Sequence, residues 1–245
     1  RDATPAAAGA EPPVAEAPAP SSAPVADAAA AQPAAPAAST PAPFDLPKGF
    51  ATLVGPERTA WQALAPDWGA SFGDGDPCTA AQKQQLRCYR ATGITLTQIR
   101  QLDRPGVLTL RDANNRAAYA LLVGLSSDAA TLRIEGEERT VPLVALADYW
   151  RGEFATLWRV PPGYSGTISD SRSGSSAQWL AQQLAAARGD TQPVREKFDD
   201  ATLKGWIHAF QLTQGLPSDG IAGPLTLMQL NRVIGVDEPR LLGER

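Results

Sequence analysis

The sequence predicts an α+β protein in which helices are followed by an antiparallel sheet and then by a small three-helix domain. Three observations lead there. Apolar residues fall at helical spacing before residue 105, with glycines as stops. Short apolar runs divided by Asn, Ser and Asp turns fill residues 107–158. From residue 176 the helical spacing returns. Segregated helices and strands, rather than a βαβ alternation, give the α+β class.

Residues 1–43 are almost wholly Ala and Pro, with no aromatic before Phe44. Such a stretch buries no core and its prolines break helices. A disordered tether is predicted, with a reach of about 130 Å at about 3.1 Å per residue. Residues 44–164 form the first folded unit. Residues 60–68 predict a short helix with Trp61 and Leu64 facing inward; Trp68, beside Pro66 and Gly69, either joins that face or is the tryptophan expected to be exposed. A second helix is predicted over 86–92, stopped by Gly93. A third begins at 95–99 with Thr95 or Thr97 as its cap. Strands are predicted over 107–111, 118–125, 130–134, 138–142 and 154–158, with a brief helix at 144–150. Residues 165–175 are a Gly/Ser linker.

The second unit spans 176–236, with 237–245 as a tail. Its first helix, 176–188, carries Trp179, Leu180 and Leu184 and ends at Gly189. In the next, Leu203, Trp206, Ile207 and Phe210 follow the i, i+3, i+4, i+7 spacing of one face. Asp199 or Asp200 caps its start, and Gly215 stands where a left-handed residue would end it. Asp219-Gly220 is a tight-turn signal. Pro224 suits the first turn of the last helix, whose apolar face is Leu227, Met228 and Leu230.

Composition excludes several functions. A net charge of −4 without a basic stripe argues against nucleic acid and against an anionic membrane surface. No apolar run of about 18 residues exists to span a membrane, and no secretory signal is visible. A start at Arg1 sets the expectation of a mature or excised piece. His208 is the single histidine, so no histidine-based zinc site can be assembled, and any Ser-His-Asp or Cys-His pair would have to use it. It lies beside an apolar stripe inside a helix and is expected to be a surface residue. No catalytic residue, metal ligand set or cofactor site is assigned.

Cys78 and Cys88 stand ten apart, a spacing that suggests a disulfide in an oxidising compartment. On one unbroken helix their Cα atoms would be roughly 15 Å apart, against the about 5.5 Å that a disulfide needs. Either the pair is bridged and the helix starts late, near Gln84, or both thiols are free. The bridge is preferred, and would tie the loop 74–85 to the following helix.

The pattern Phe210-Gln211…Gly215-Leu216…Asp219-Gly220-Ile221-Ala-Gly223…Thr226-Leu227…Leu230 resembles the second half of the small helical peptidoglycan-binding domain of bacterial envelope proteins. The resemblance implies a wall contact through polar and turn residues: Gln211, Ser218, Asp219, Gly220 and Thr226. In the first unit, Cys78-Thr-Ala-Ala, the run Gly93 to Leu108 with Leu102-Asp-Arg-Pro105, and Ala118 to Leu125 are similar to bacteriocin-processing, papain-like cysteine peptidases. Carried over, Cys78 lies near the nucleophile slot, the His slot falls on Ala118 and the Asp slot near Glu135. With no base to deprotonate the thiol, the resemblance implies a degenerate, inactive peptidase fold.

The ordered set of Ala/Pro tether, Trp61, Trp68, Cys78, Cys88, Leu102-Asp-Arg-Pro105, Trp150-Arg-Gly-Glu-Phe154-Ala-Thr-Leu-Trp158 and the terminal motif resembles the periplasmic part of the GspA/ExeA family of type II secretion assembly factors. That resemblance implies a periplasmic, non-catalytic anchor that binds peptidoglycan. It also implies a GspB-like partner and an outer-membrane secretin whose insertion and multimerisation the parent assists. Family members carry an ATPase domain and one membrane span ahead of this region, and no GxxxxGK[ST] phosphate loop occurs in this sequence. The alternative is a wall hydrolase or peptidase targeted by its binding module, with Asp74, Asp76 and Glu135 as candidate carboxylates.

Overall fold

The computed structural model describes residues 41–169, 174–190, 194 and 198–243. The tether over 1–40, positions 170–173 of the linker and the last two residues of the tail lie outside the described residues.

In chain order the first unit begins with a two-residue strand β1 (Ala42–Pro43), a helical turn α1 (Leu46–Gly49) and a 3-10 turn. Next come α2 (Glu57–Leu64), which runs on as a 3-10 turn through Trp68, and α3 (Pro77–Gln82). Strand β2 (Leu86–Ala91), helix α4 (Leu96–Leu102) and strands β3 (Gly106–Arg111), β4 (Ala117–Leu125), β5 (Ala129–Ile134) and β6 (Glu137–Pro142) follow. A short α5 (Leu143–Ala147) leads into β7 (Trp150–Arg159). Helices α6 (Ser175–Ala187), α7 (Asp200–Thr213) and α8 (Pro224–Val233) complete the described chain.

The strands form one sheet in the order β1-β6-β5-β4-β3-β7-β2. Every pairing is antiparallel except β1 on β6. Period-2 alternation gives the sheet two buried faces. Val107, Leu121, Val123, Ala155 and Leu157 point to the side covered by Trp61, Leu64 and Trp68. Leu108, Leu110, Leu122, Leu132, Phe154 and Trp158 point to the other side, where their core is continuous with Ile99, Leu102 and the buried faces of α6, α7 and α8.

Three expectations are corrected. Residues 86–91 are a strand, not a helix. Leu86 and Cys88 face one side of the sheet and Tyr89 and Ala91 the other, and the whole segment pairs with the otherwise open edge of β7. Tertiary pairing decides the state of so short a segment. Trp68 is 2% exposed rather than exposed. The 3-10 turn that follows α2 brings its indole into the core under the sheet, and Gly69 at φ +64° turns the chain away afterwards.

Cys78 on α3 and Cys88 on β2 are bridged with Cα atoms 5.5 Å apart. The bridge ties a helix to an edge strand, not a loop to a helix. Thr95 caps α4 in a reciprocal capping box with Gln98.

The segment after α8 returns to the sheet. Leu242 donates to the Val123 carbonyl at 2.8 Å and accepts from Leu125 N–H at 3.1 Å. On the way, Glu238 forms an ion pair with Arg104 at 3.1 Å, both side chains 1% exposed. Arg104 also donates to the carbonyls of Leu102, at 3.3 Å, and Met228, at 3.1 Å. Glu238 Oε1 accepts from Asn231 at 3.0 Å and from Arg159 N–H at 2.8 Å. Three stretches distant in sequence, 102–104, Arg159 and 228–238, thus converge on one buried charge pair.

Candidate functional site

Asp199 caps α7 by accepting from Thr202 N–H at 2.7 Å. At the other end Gly215, at φ +64°, closes the helix. Leu216 N–H reaches the Gln211 carbonyl at 2.9 Å and Gly215 N–H the Leu212 carbonyl at 3.2 Å. This is the Schellman pattern, which needs a left-handed residue at the stop and so favours glycine. The chain then turns through 218–221 and enters α8 at Pro224.

Gln211 is the hub of that turn. It is 1% exposed. Its Oε1 accepts from Gly220 N–H at 2.9 Å. Its Nε2 faces Asp219 Oδ1 at 2.8 Å, the Ile221 carbonyl at 3.0 Å and Thr226 Oγ1 at 3.1 Å. Two N–H groups serve three acceptors, so one bond is shared. Asp219 Oδ1 also accepts from Ile221 N–H at 2.9 Å. These donors hold the Asp219 carboxyl below the usual carboxylate range, the Ile221 N–H first and the Gln211 amide next.

The structure brings all five sequence-chosen residues to this one turn, at different depths. Gln211, Thr226 and Gly220 are buried, Ser218 is half-buried, and Asp219 is exposed. Ser218 Oγ lies 2.9 Å from Nε2 of the exposed His208. The buried members shape the turn; Ser218 and Asp219 present its outer edge.

The other chemistry-bearing residues are placed apart from it. Cys78 is engaged in its disulfide. Ala118, in the His slot, is fully buried in β4. Asp76 caps α3, accepting from Thr79 N–H at 2.7 Å and Thr79 Oγ1 at 2.8 Å. Glu135 stands exposed in the tight β5–β6 turn at φ +52°. Among the described residues no three His, Cys, Asp or Glu side chains are grouped to hold a metal ion, and no helix is long and apolar enough to cross a membrane.

Sequence inspection missed Gln229, Arg104 and Glu238. Gln229 is 2% exposed; its Nε2 donates to Gln214 Oε1 at 2.9 Å, and its Oε1 has no hydrogen-bond partner among the described residues. A polar residue four positions after Leu225, on the same helix face, was the available signal.

Residues 173–230 match a family model described as "Putative peptidoglycan binding domain". The chain is 34% identical over 197 residues to "General secretion pathway protein A" of Aeromonas hydrophila, covering 76% of this chain and 36% of that protein. It is 24% identical over 193 residues to "Putative general secretion pathway protein A" of Escherichia coli (strain K12), covering 78% and 39%. The chain therefore spans well under half the length of these curated relatives. The fold matches, with TM-score 0.54 and 24% identity, a crystal structure of a periplasmic domain of the EpsAB fusion protein of the Vibrio vulnificus type II secretion system, over 80% of this chain and 86% of that one. At that identity the likeness speaks to the fold alone. Taken together, the chain resembles a part of general secretion pathway protein A, and its residues 173–230 resemble a peptidoglycan-binding domain.

Proposed function

We propose that this chain is a non-catalytic, periplasmic peptidoglycan-binding anchor of a type II secretion assembly factor. The observation that carries this is the peptidoglycan-binding match over residues 173–230, which falls on α6, α7, the Gln211-centred turn and α8. The similarity to general secretion pathway protein A supplies the secretion context. In this reading the parent protein is held in the inner membrane by a span outside this sequence. It works with a GspB-like partner and helps the outer-membrane secretin insert and multimerise through the wall.

Ser218 and Asp219 form the contact edge, and Gln211, Gly220 and Thr226 hold it from beneath. The non-catalytic part is supported by chemistry already described. The disulfide removes the thiolate that Cys78 would need as a nucleophile. The lone His208 sits on α7 beside Ser218, away from both cysteines in sequence and element. The candidate carboxylates Asp76 and Glu135 serve a helix cap and a hairpin turn.

Co-sedimentation with purified sacculi tests the binding. The wild-type chain is expected to pellet, and Asp219→Ala to pellet less while keeping its helical circular dichroism. A wild type that stays in the supernatant would sink wall binding. A clearing band in a zymogram on isolated wall would overturn the non-catalytic part.

A further inference from the structure

The two edges of the sheet are finished differently. At one end lies β1, two residues long and ending in Pro43, a short proline-bearing strand of the kind that discourages further pairing. At the other end β2 runs six residues without a proline, and its register with β7 is unbroken from Leu86 to Ala91. We infer that the open side of β2 is a docking edge for an extended, acidic segment of a partner protein, added antiparallel as a further strand. This interaction surface is separate from the wall-contact turn and does not depend on it.

The hydrogen bonds of β7 determine which groups the edge offers. Arg159, opposite Leu86, gives its N–H to Glu238 and its carbonyl to Asn231, so the pair Leu86–Arg159 exchanges no backbone bond. In an antiparallel ladder bonded and unbonded pairs alternate. Leu86, Cys88 and Arg90 therefore turn N–H and C=O away from β7. None of these groups finds another backbone partner among the described residues. The edge is also held in place. Cys88 is bridged to Cys78 on α3, and beyond the strand Ile94 N–H reaches the Gly152 carbonyl at 3.1 Å. A strand already fixed loses little freedom when another pairs with it.

Charge chooses the occupant. Arg90 stands over Trp61 on the α2 side and pairs with Glu57. Arg87, on the opposite face, is half-buried and has no ion-pair partner among the described residues. An added antiparallel strand meets Arg87 at a non-hydrogen-bonded pair, where facing side chains come closest, with Cα atoms about 4.5 Å apart. A carboxylate there supplies the missing partner, and opposite charges across a pair are favourable where like charges repel. The next pair on that face sets an apolar residue against the half-buried Tyr89. Read along the incoming strand, the fitting pattern is apolar, any residue, acidic. A second copy of this chain fits less well, because its own β2 carries two arginines and no carboxylate.

The test titrates the whole chain, followed by NMR, with three capped hexapeptides. TVTEVT sets its glutamate against Arg87, and TVTKVT sets a lysine there. The third is TVTEVT N-methylated at its third residue, which faces Cys88 and then has no N–H to donate. TVTEVT is expected to shift the amides of Leu86, Cys88 and Arg90 and to slow their hydrogen exchange. The lysine and methylated peptides should each bind about tenfold more weakly. Arg87→Glu should reverse the preference and take TVTKVT over TVTEVT, a gain that a misfolded variant would not show. Equal binding of the glutamate and lysine peptides by the wild type overturns the inference. So does a methylated peptide that binds as well as its parent, an unreversed preference in Arg87→Glu, or the absence of any shift at the three amides. Shifts at those amides that grow with protein concentration alone assign the edge to a second copy, and overturn it as well.

Discussion

Gln211 shows how a single side chain can fix a tight turn. Its amide accepts from the Gly220 N–H and faces the Ile221 carbonyl and the Thr226 hydroxyl, tying three points of the corner to one side chain. Gln211→Leu keeps the bulk and removes every one of those bonds. The expected loss is about 1–3 kcal/mol for the buried groups left unsatisfied, read from urea unfolding, together with broadened amide signals at 218–221. Asp219 adds a pH dependence whose sign follows from its depressed pKa. Its folded value lies below the ordinary 3.8, so its contribution is complete above that value and fades as pH falls through the lower, folded one. The amides of Gly220 and Ile221 should hold their positions down to about pH 4 and move only in more acid solution. Asp219→Asn should abolish that acid transition. Because the carboxylate is exposed, the effect belongs to the turn and not to global stability. Movement of those amides already complete at about pH 5 would contradict the assignment.

The α3–β2 bridge is an element-scale device. The sheet ends at β2, an edge strand that pairs only with β7. The disulfide pins α3 against the face of this edge strand on which Leu86 and Cys88 lie. Replacing both cysteines by alanine, or reducing them, should lower stability by about 2–4 kcal/mol, the range for closing a short loop in the unfolded chain. Urea melts with and without reductant check this, and unchanged melts would show that the bridge adds nothing to the edge. The element also shows where sequence inspection failed. Residues 86–91 carry no strong local code, and β7 supplied the missing half of the information. Helix α7 was legible almost to the residue, because its cap, apolar face and glycine stop are all local.

At the scale of the whole molecule, Arg104 and Glu238 lock the helical module, the C-terminal segment and the sheet together. Burial holds the Arg104 pKa below its ordinary value, with the neighbouring Glu238 carboxylate opposing that shift, and a buried pair of this kind depends on both partners being present. Arg104→Met leaves a buried carboxylate uncompensated, and should cost about 3–5 kcal/mol. Arg104→Met with Glu238→Gln keeps an oxygen for Asn231 and for Arg159 N–H, and should recover much of that loss. Thermal unfolding of wild type and single variant should also separate one transition into two, the helical module melting first. One unchanged cooperative transition in the single variant would argue that the apolar contacts alone hold the halves together.

The sequence by itself determined what local chemistry can encode: the α+β class, the strands from 106 to 142, the caps of α4 and α7 to within two candidates each, the left-handed stop at Gly215 and the Asp219-Gly220 turn. It also brought forward the residues of one turn, because a helix stop, a turn and a helix start follow one another within a dozen positions. Only the tertiary structure decided the strand state of 86–91, the burial of Trp68, the return of Leu242 to β4, the Arg104–Glu238 pair and the exposed-to-buried gradient from Asp219 to Gln211. Each of these depends on a partner far away in the chain. A pairing edge, a low-dielectric pocket or an orphaned amide acquires its energy only when the chain has closed around it.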